Sequence, residues 1–171
     1  MEKVVGVENP KVGLASVGTE DAKGNEVTKE ALALIREQNL VNFLGNAEGR
    51  DIVDRVDVMV SDGFAGNFMM KGLEGFGEFI ISTMKKSFTS SLRCKIGALL
   101  LKPALKDLKQ AIDYNAYGGA PLLGIDGVVI KGHGSAKAKT VGPTIDQAIK
   151  IVQADVVGII KENIPKMTVN E

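Results

Sequence analysis

An α/β fold built on a mostly parallel sheet is predicted by three observations: short apolar runs that end in polar loops, helical spacing between those runs, and a glycine content suited to many tight turns. The runs over 12–17, 41–44 and 56–60 read as strands. Between the first two, the segment 28–38 places Ala31, Leu32, Leu34 and Ile35 on one side and Lys29, Glu30, Arg36 and Glu37 elsewhere, which is a helical period. After Gly45-Asn46 a helical turn is expected over 48–54. Strand, helix, strand, helix, strand in chain order implies right-handed crossovers and parallel pairing.

The pattern lengthens beyond Ser61-Asp62-Gly63-Phe64-Ala65-Gly66-Asn67, a turn-forming stretch. Phe68, Met69, Leu73, Phe76, Phe79, Ile80 and Met84 recur every three or four residues, predicting a long amphipathic helix from 68 onward. A second helical run starts at Ser90 and meets Pro103, which should kink or end it, and Leu105, Leu108 and Ile112 continue the period to Asp113. Two short strands are predicted at 122–123 and 128–131. Gly132-His133-Gly134-Ser135 then turns into a final helix, whose buried face is expected from Ile145, Ala148, Ile149, Val152, Val156 and Ile159 or Ile160. Pro143 suits the first turn of that helix better than its middle.

A length of 171 residues fits one domain with a proper core. Lys and Arg number 21, as do Asp and Glu, which disfavours a nucleic-acid binder driven by net charge. The single cysteine, Cys94, forms no intramolecular disulfide, has no metal-ligand spacing around it and is expected to be a small buried residue of a reducing cytoplasmic protein. Neither a leader-like apolar region nor a run of eighteen apolar residues occurs in the chain. A soluble protein is the expectation.

Chemistry concentrates in three loops, because ligands of open parallel sheets bind at the carboxyl ends of strands. In the first, Gly18-Thr19-Glu20 with Lys23-Gly24-Asn25, a lysine and an amide side chain lie beside flexible backbone; Asn25 or Thr28 is equally well placed to cap the following helix. In the second, Asp62, Gly63, Gly66 and Asn67 precede a helix that carries Lys71, which suits an anion through free amides and the helix dipole, while a plainer reading makes Asp62 a cap and Asn67 a turn residue. The third, 117–135, holds the only histidine. His133 can donate to phosphate or to a developing oxyanion, with Gly132, Gly134 and Ser135 completing a cradle, or it can be a turn residue. No phosphate-loop or dinucleotide fingerprint is present.

A fourth feature has different physics. Lys85, Lys86, Arg93, Lys95, Lys102, Lys106 and Lys109 stand against Asp107 alone, interleaved with Ile96, Leu99, Leu100 and Leu101. Basic charge beside an apolar helical tip suits a membrane surface or an acidic partner; packed helices of a dimer or core hairpin with solvated lysines outside fit equally.

Taken together, Thr19-Glu20 with Lys23-Gly24-Asn25-Glu26, Phe43-Leu44-Gly45-Asn46 with Glu48-Gly49-Arg50-Asp51, Asp62-Gly63-Phe64 with Gly66-Asn67, Tyr117-Gly118-Gly119-Ala120-Pro121-Leu122-Leu123-Gly124 and His133-Gly134-Ser135 resemble the bacterial PlsX family of phosphate acyltransferases, in that family's order. The resemblance covers the C-terminal half of the family's usual length. It implies a three-layer α/β/α fold similar to isopropylmalate dehydrogenases and phosphotransacetylases, with residues 68–113 as a protruding helical hairpin and a cleft built from both halves of the full-length protein. The implied reaction joins inorganic phosphate to the acyl group of an acyl-acyl carrier protein, with no cofactor and no metal.

In that reaction His133, Lys71 and Asn67 are implied to be catalytic. Lys23, Asn25, Asp62, Gly63, Gly66, Gly132, Gly134 and Ser135 are implied to bind phosphate or substrate. A homodimer is also implied, peripheral on the cytoplasmic membrane through Leu99, Leu100, Leu101 and Lys102, and feeding a membrane acyltransferase that consumes the acyl-phosphate. The competing expectation is a non-catalytic module that dimerises and binds membrane or carrier protein.

Overall fold

The computed structural model describes residues 1–112, 118–132, 134, 136 and 138–166. These are grouped in two compact units, one made of 1–66, 122–129 and 148–166 and the other of the described residues within 67–121 and 130–147. The first unit carries the parallel sheet. After a short helix α1 (Glu2–Val5), the strands β1 (Lys11–Ala15), β2 (Asn42–Ala47) and β3 (Val58–Val60) lie in the order β2-β1-β3, all parallel. Mixed α/β architecture with a parallel sheet is thus as the sequence predicts.

The helix α2 (Glu26–Gln38) links β1 to β2, and a 3-10 turn (Gly49–Ile52) leads from β2 toward β3. Val12, Leu14, Leu32, Ala47 and Val56 are buried, so the core of this unit lies between the sheet and α2. Strand β2 runs past the predicted end at residue 44: after a register shift between Val12 and Leu14, Leu14 pairs with Asn46 and Ala15 with Ala47.

The 3-10 turn is closed by a capping box. Asp51 accepts from the Glu48 backbone N–H at 2.8 Å, and Arg55 Nη1 donates to the same carboxylate at 2.9 Å. The backbone hydrogen bond, followed by the Arg55 guanidinium, holds the Asp51 carboxyl below the usual carboxylate range.

A long helix α3 (Gly63–Thr89) follows β3 and starts five residues earlier than the apolar period predicts, because Asp62 caps it and recruits Gly63 to Asn67 into its first turns. Asn67 is therefore helical and not a turn residue. Helices α4 (Leu92–Leu100) and α5 (Lys102–Ile112) come next, and the break falls beside Pro103, which occupies the first turn of α5 as a proline can. Cys94 is half-buried and not fully enclosed; the hydroxyls of Ser90 and of Ser91, the N-cap of α4, bond it and hold its thiol below the usual thiol range.

The second sheet is a two-stranded antiparallel pair, β4 (Gly119–Pro121) and β5 (Ile130–Gly132). It is displaced from the predicted 122–123 and 128–131, because the ladder is centred on Gly119, Ala120 and Pro121 opposite Gly132, Lys131 and Ile130, with Leu122 N–H bonding the Val129 carbonyl at 2.9 Å just beyond its end.

The single final helix of the sequence reading is two helices, α6 (Ala138–Gln153) and α7 (Val156–Asn163). Asp155 adopts a left-handed conformation at φ 47° and caps α7 by accepting from Gly158 N–H at 3.2 Å. The predicted buried face of α6 is also corrected: Ile145, Ile149 and Val152 are exposed, whereas Thr140 and Ile151 are buried. Eleven residues apart, the latter two share one face after three turns.

Pro143 sits in the second turn of α6 and not the first. Lacking an N–H, it leaves the carbonyl of Lys139 without its helical donor. Here Gly118, at φ +78°, packs on the main chain of α6: a β-carbon on it would stand 2.5 Å from Thr144 N and 2.7 Å from the Pro143 carbonyl carbon.

Gly118→Ala is expected to destabilise the fold by about 2 kcal/mol or more, since backbone atoms cannot move aside and the φ is unfavourable; a chemical denaturation curve with an unchanged midpoint would refute this. The lowered Asp51 carboxyl gives a second expectation with a definite sign. Its contribution to stability is complete above the unfolded value of about 4 and is lost as pH falls through the lower folded value. Asp51→Asn should therefore flatten the acid side of the melting-temperature profile, which thermal scans between about pH 6 and pH 2 would reveal.

Candidate functional site

Parallel pairing sends the chain out of β1, β2 and β3 at the same end of the sheet, and the candidate site of the first unit is assembled there. The β1 exit loop, residues 16–25, is fixed at three points. At its far end Asn25 caps α2, its Oδ1 accepting from Thr28 N–H at 2.9 Å while Thr28 Oγ1 donates back to the Asn25 carbonyl at 2.9 Å. In the middle, Arg36 of α2 grips Asp21 with two hydrogen bonds of 2.5 and 2.7 Å, and these hold the Asp21 carboxyl below the usual range. The third point is Asn46 of β2, whose Nδ2 donates to the Glu20 carbonyl at 2.9 Å.

Held this way, the loop closes a turn through Lys23 N–H to the Glu20 carbonyl at 3.0 Å. Gly24 follows at φ +100°, a conformation that favours glycine. Lys23 has no ion-pair partner among the described residues, so its ammonium is available to an anion. A phosphate would find there a cation on a short, anchored loop.

The β3 exit is differently disposed. Asp62 Oδ1 accepts from Phe64 N–H at 2.8 Å and Ala65 N–H at 2.9 Å, and Gly66 N–H bonds the Asp62 carbonyl at 3.0 Å. The amides that suit an anion are thus engaged by Asp62 itself, which is the plainer capping role. The α3 residue Lys71 pairs with Glu74 at 2.7 Å.

In the second unit Gly132 ends β5, and Gly134 lies between β5 and α6. His133 and Ser135 lie outside the described residues. The structure therefore brings together Lys23 and Asn25 on one anchored loop, and Asp62, Gly63 and Gly66 on one helix start. The glycines of the third loop it places separately, in the other unit.

Asn46 escaped the sequence reading. A polar side chain after an apolar run reads as the end of a strand, yet here it is 1% exposed within β2. The signal was the small, apolar Ala47 that follows it, since Gly45, Asn46 and Ala47 are buried in succession at the end of β2.

Leu99, Leu100 and Leu101 are exposed around the end of α4, and Lys102 opens α5. No described helix is long and apolar enough to cross a membrane, and no cluster of three or more metal-ligating side chains occurs among the described residues.

Comparison with known proteins agrees with the family motifs. The model of a family described as fatty acid synthesis protein matches residues 1–158. A phosphate acyltransferase of Brevibacillus brevis is 48% identical over 171 residues, covering 99% of this chain and 51% of that protein. The phosphate acyltransferase of Geobacillus thermodenitrificans is 46% identical over 96% of this chain and 50% of its own length, and that of Bacillus subtilis is 44% identical over 99% and 51%. The chain spans about half the length of the curated relatives it matches. With the motifs in order and nearly the whole chain matched, the chain belongs to the fatty acid synthesis protein family, the family of the PlsX phosphate acyltransferases.

Proposed function

We propose that this chain forms the C-terminal part of a phosphate acyltransferase that converts an acyl-acyl carrier protein and inorganic phosphate to acyl-phosphate for phospholipid synthesis. The observation that carries the reading is the 44–48% identity, across almost all of the chain, to proteins named phosphate acyltransferase. A phosphate oxygen attacks the thioester carbonyl carbon, the new C–O bond forms as the C–S bond breaks, and the departing thiolate takes up a proton from phosphate or solvent. This needs positioning and charge stabilisation.

Lys23, on its anchored loop, offsets the phosphate charge, with the Asn25 amide beside it. Lys71 and Asn67 of α3 and His133 of the third loop serve the developing oxyanion, and Gly132, Gly134 and Ser135 shape its cradle. Asp62, Gly63 and Gly66 form the second wall. In this reading the sheet belongs to a three-layer α/β/α fold of the isopropylmalate dehydrogenase and phosphotransacetylase type, and residues 68–113 form a helical hairpin. The protein works as a cytoplasmic homodimer, and a membrane acyltransferase consumes its product.

One observation favours a membrane-binding role alongside, or instead of, catalysis. Leu100 is 78% exposed, and Leu99 and Leu101 are also exposed, in a basic stretch of sequence. Peripheral attachment through 99–102 fits this.

The chain incubated with acyl carrier thioester and phosphate, alone and with the N-terminal half of a full-length relative, is expected to yield acyl-phosphate in the second mixture; none in either would sink the enzyme reading. In the active mixture Lys23→Ala should raise the KM for phosphate by about 10- to 100-fold, the worth of a charged hydrogen bond. Leu99→Glu combined with Leu100→Glu should abolish co-sedimentation with anionic vesicles, and continued sedimentation would place these leucines in a core or dimer contact instead.

A further inference from the structure

Beneath the β1 exit loop the structure holds two polar groups with unused hydrogen-bonding capacity. Asn46 Oδ1 and Ser16 Oγ are both buried, and neither has a hydrogen-bond partner among the described residues. Ser16 follows the end of β1 and underlies Gly24, a β-carbon on which would stand 3.2 Å from the Ser16 hydroxyl. Asn46 follows the same level of β2, where it pairs with Leu14. An apolar side chain at position 46 would fill its site with no unpaired acceptor, which is the cheaper solution for a buried strand position. What asparagine adds is the bond it makes outward, from Nδ2 to the Glu20 carbonyl at 2.9 Å.

That bond acts on a particular point of the loop. Glu20 O receives both the Asn46 amide and the Lys23 backbone N–H at 3.0 Å, so one carbonyl ties the buried strand to the turn that presents Lys23. The Asp21–Arg36 pair next to it is exposed on both sides, so solvent screens it and both partners can move together with the loop surface. Asn46, by contrast, is enclosed on a strand and cannot swing away with the loop. We propose that Asn46 is a positioning residue for phosphate: through the Glu20 carbonyl it holds the 20–23 turn in the conformation in which Lys23 meets the anion. The proposal rests on the reading of the Lys23 loop as the phosphate site.

The test titrates the chain with inorganic phosphate, followed by phosphorus NMR, together with amide hydrogen exchange across residues 18–25. Lys23→Ala is expected to lose the phosphate response with loop exchange little changed. Asn46→Ala should weaken phosphate binding by about tenfold and speed exchange of the loop amides, with Lys23 itself intact. Should Asn46→Ala fail to fold, Asn46→Asp keeps the shape and removes the donor. Leu32→Val, a core change that lowers stability without touching the loop, should leave phosphate affinity as it was; an equal loss there would reduce Asn46 to general stability and overturn the proposal. A phosphate response lost in Lys23→Ala yet unaltered in Asn46→Ala and Asn46→Asp overturns the positioning role alone. No response from the unaltered chain, or one untouched by Lys23→Ala, overturns the phosphate reading of the loop and the inference with it.

Discussion

Strand β1 is paired on both edges, and the arrangement of the first unit follows from that pairing. Val12 and Leu14 are matched by Phe43 and Asn46 on one side and by Val58 and Val60 on the other. The entry to the strand is clamped as well: Lys11 N–H bonds Asp57 Oδ2 at 2.7 Å, and Asp57 N–H returns to the Lys11 carbonyl at 2.9 Å. Slipping β1 by one residue would turn Val12 and Leu14 away from the core and break this clamp at once. Register and exit direction are therefore one constraint, and the loop carrying Lys23 inherits its position from it.

Much of this architecture is legible in the sequence because strand and helix periods differ. Val12 and Leu14 on β1, and Leu32 on α2, are each visible as part of a local pattern, and each is buried. Element ends are less legible, since they are decided by single polar groups. Asp62 moves the start of α3 back to Gly63, and Asp155 divides what periodicity alone would leave as one helix. Of the candidate site, Lys23, Asn25 and Asp62 stand out by their chemistry next to glycine. Asn46 does not, because its importance comes from a bond to Glu20, twenty-six positions earlier in the chain.

Helical period also identifies a face without saying what lies against it. The apolar residues of α3 are spaced as predicted, yet none of the helix's 27 residues is buried, and Phe64, Phe68, Phe76 and Phe79 are exposed. On α6 the same ambiguity changes the answer: the isoleucines at 145 and 149 look like the core stripe, while Thr140 and Ile151 are the enclosed positions. The enclosed Thr140 is tied to the next turn of its helix, its carbonyl accepting from Thr144 Oγ1 at 2.8 Å.

Gly118 makes its contact with α6 through main chain on both sides, since its neighbours there are the Thr144 nitrogen and α-carbon and the Pro143 carbonyl carbon. Such a contact is blind to side-chain identity on the helix and intolerant of any side chain on the loop. Chain variation would thus be filtered asymmetrically across one interface: many residues fit at 144, and essentially one fits at 118. Sequence drift on α6 leaves the seam intact, and the loop entering β4 sets how closely the helix can approach.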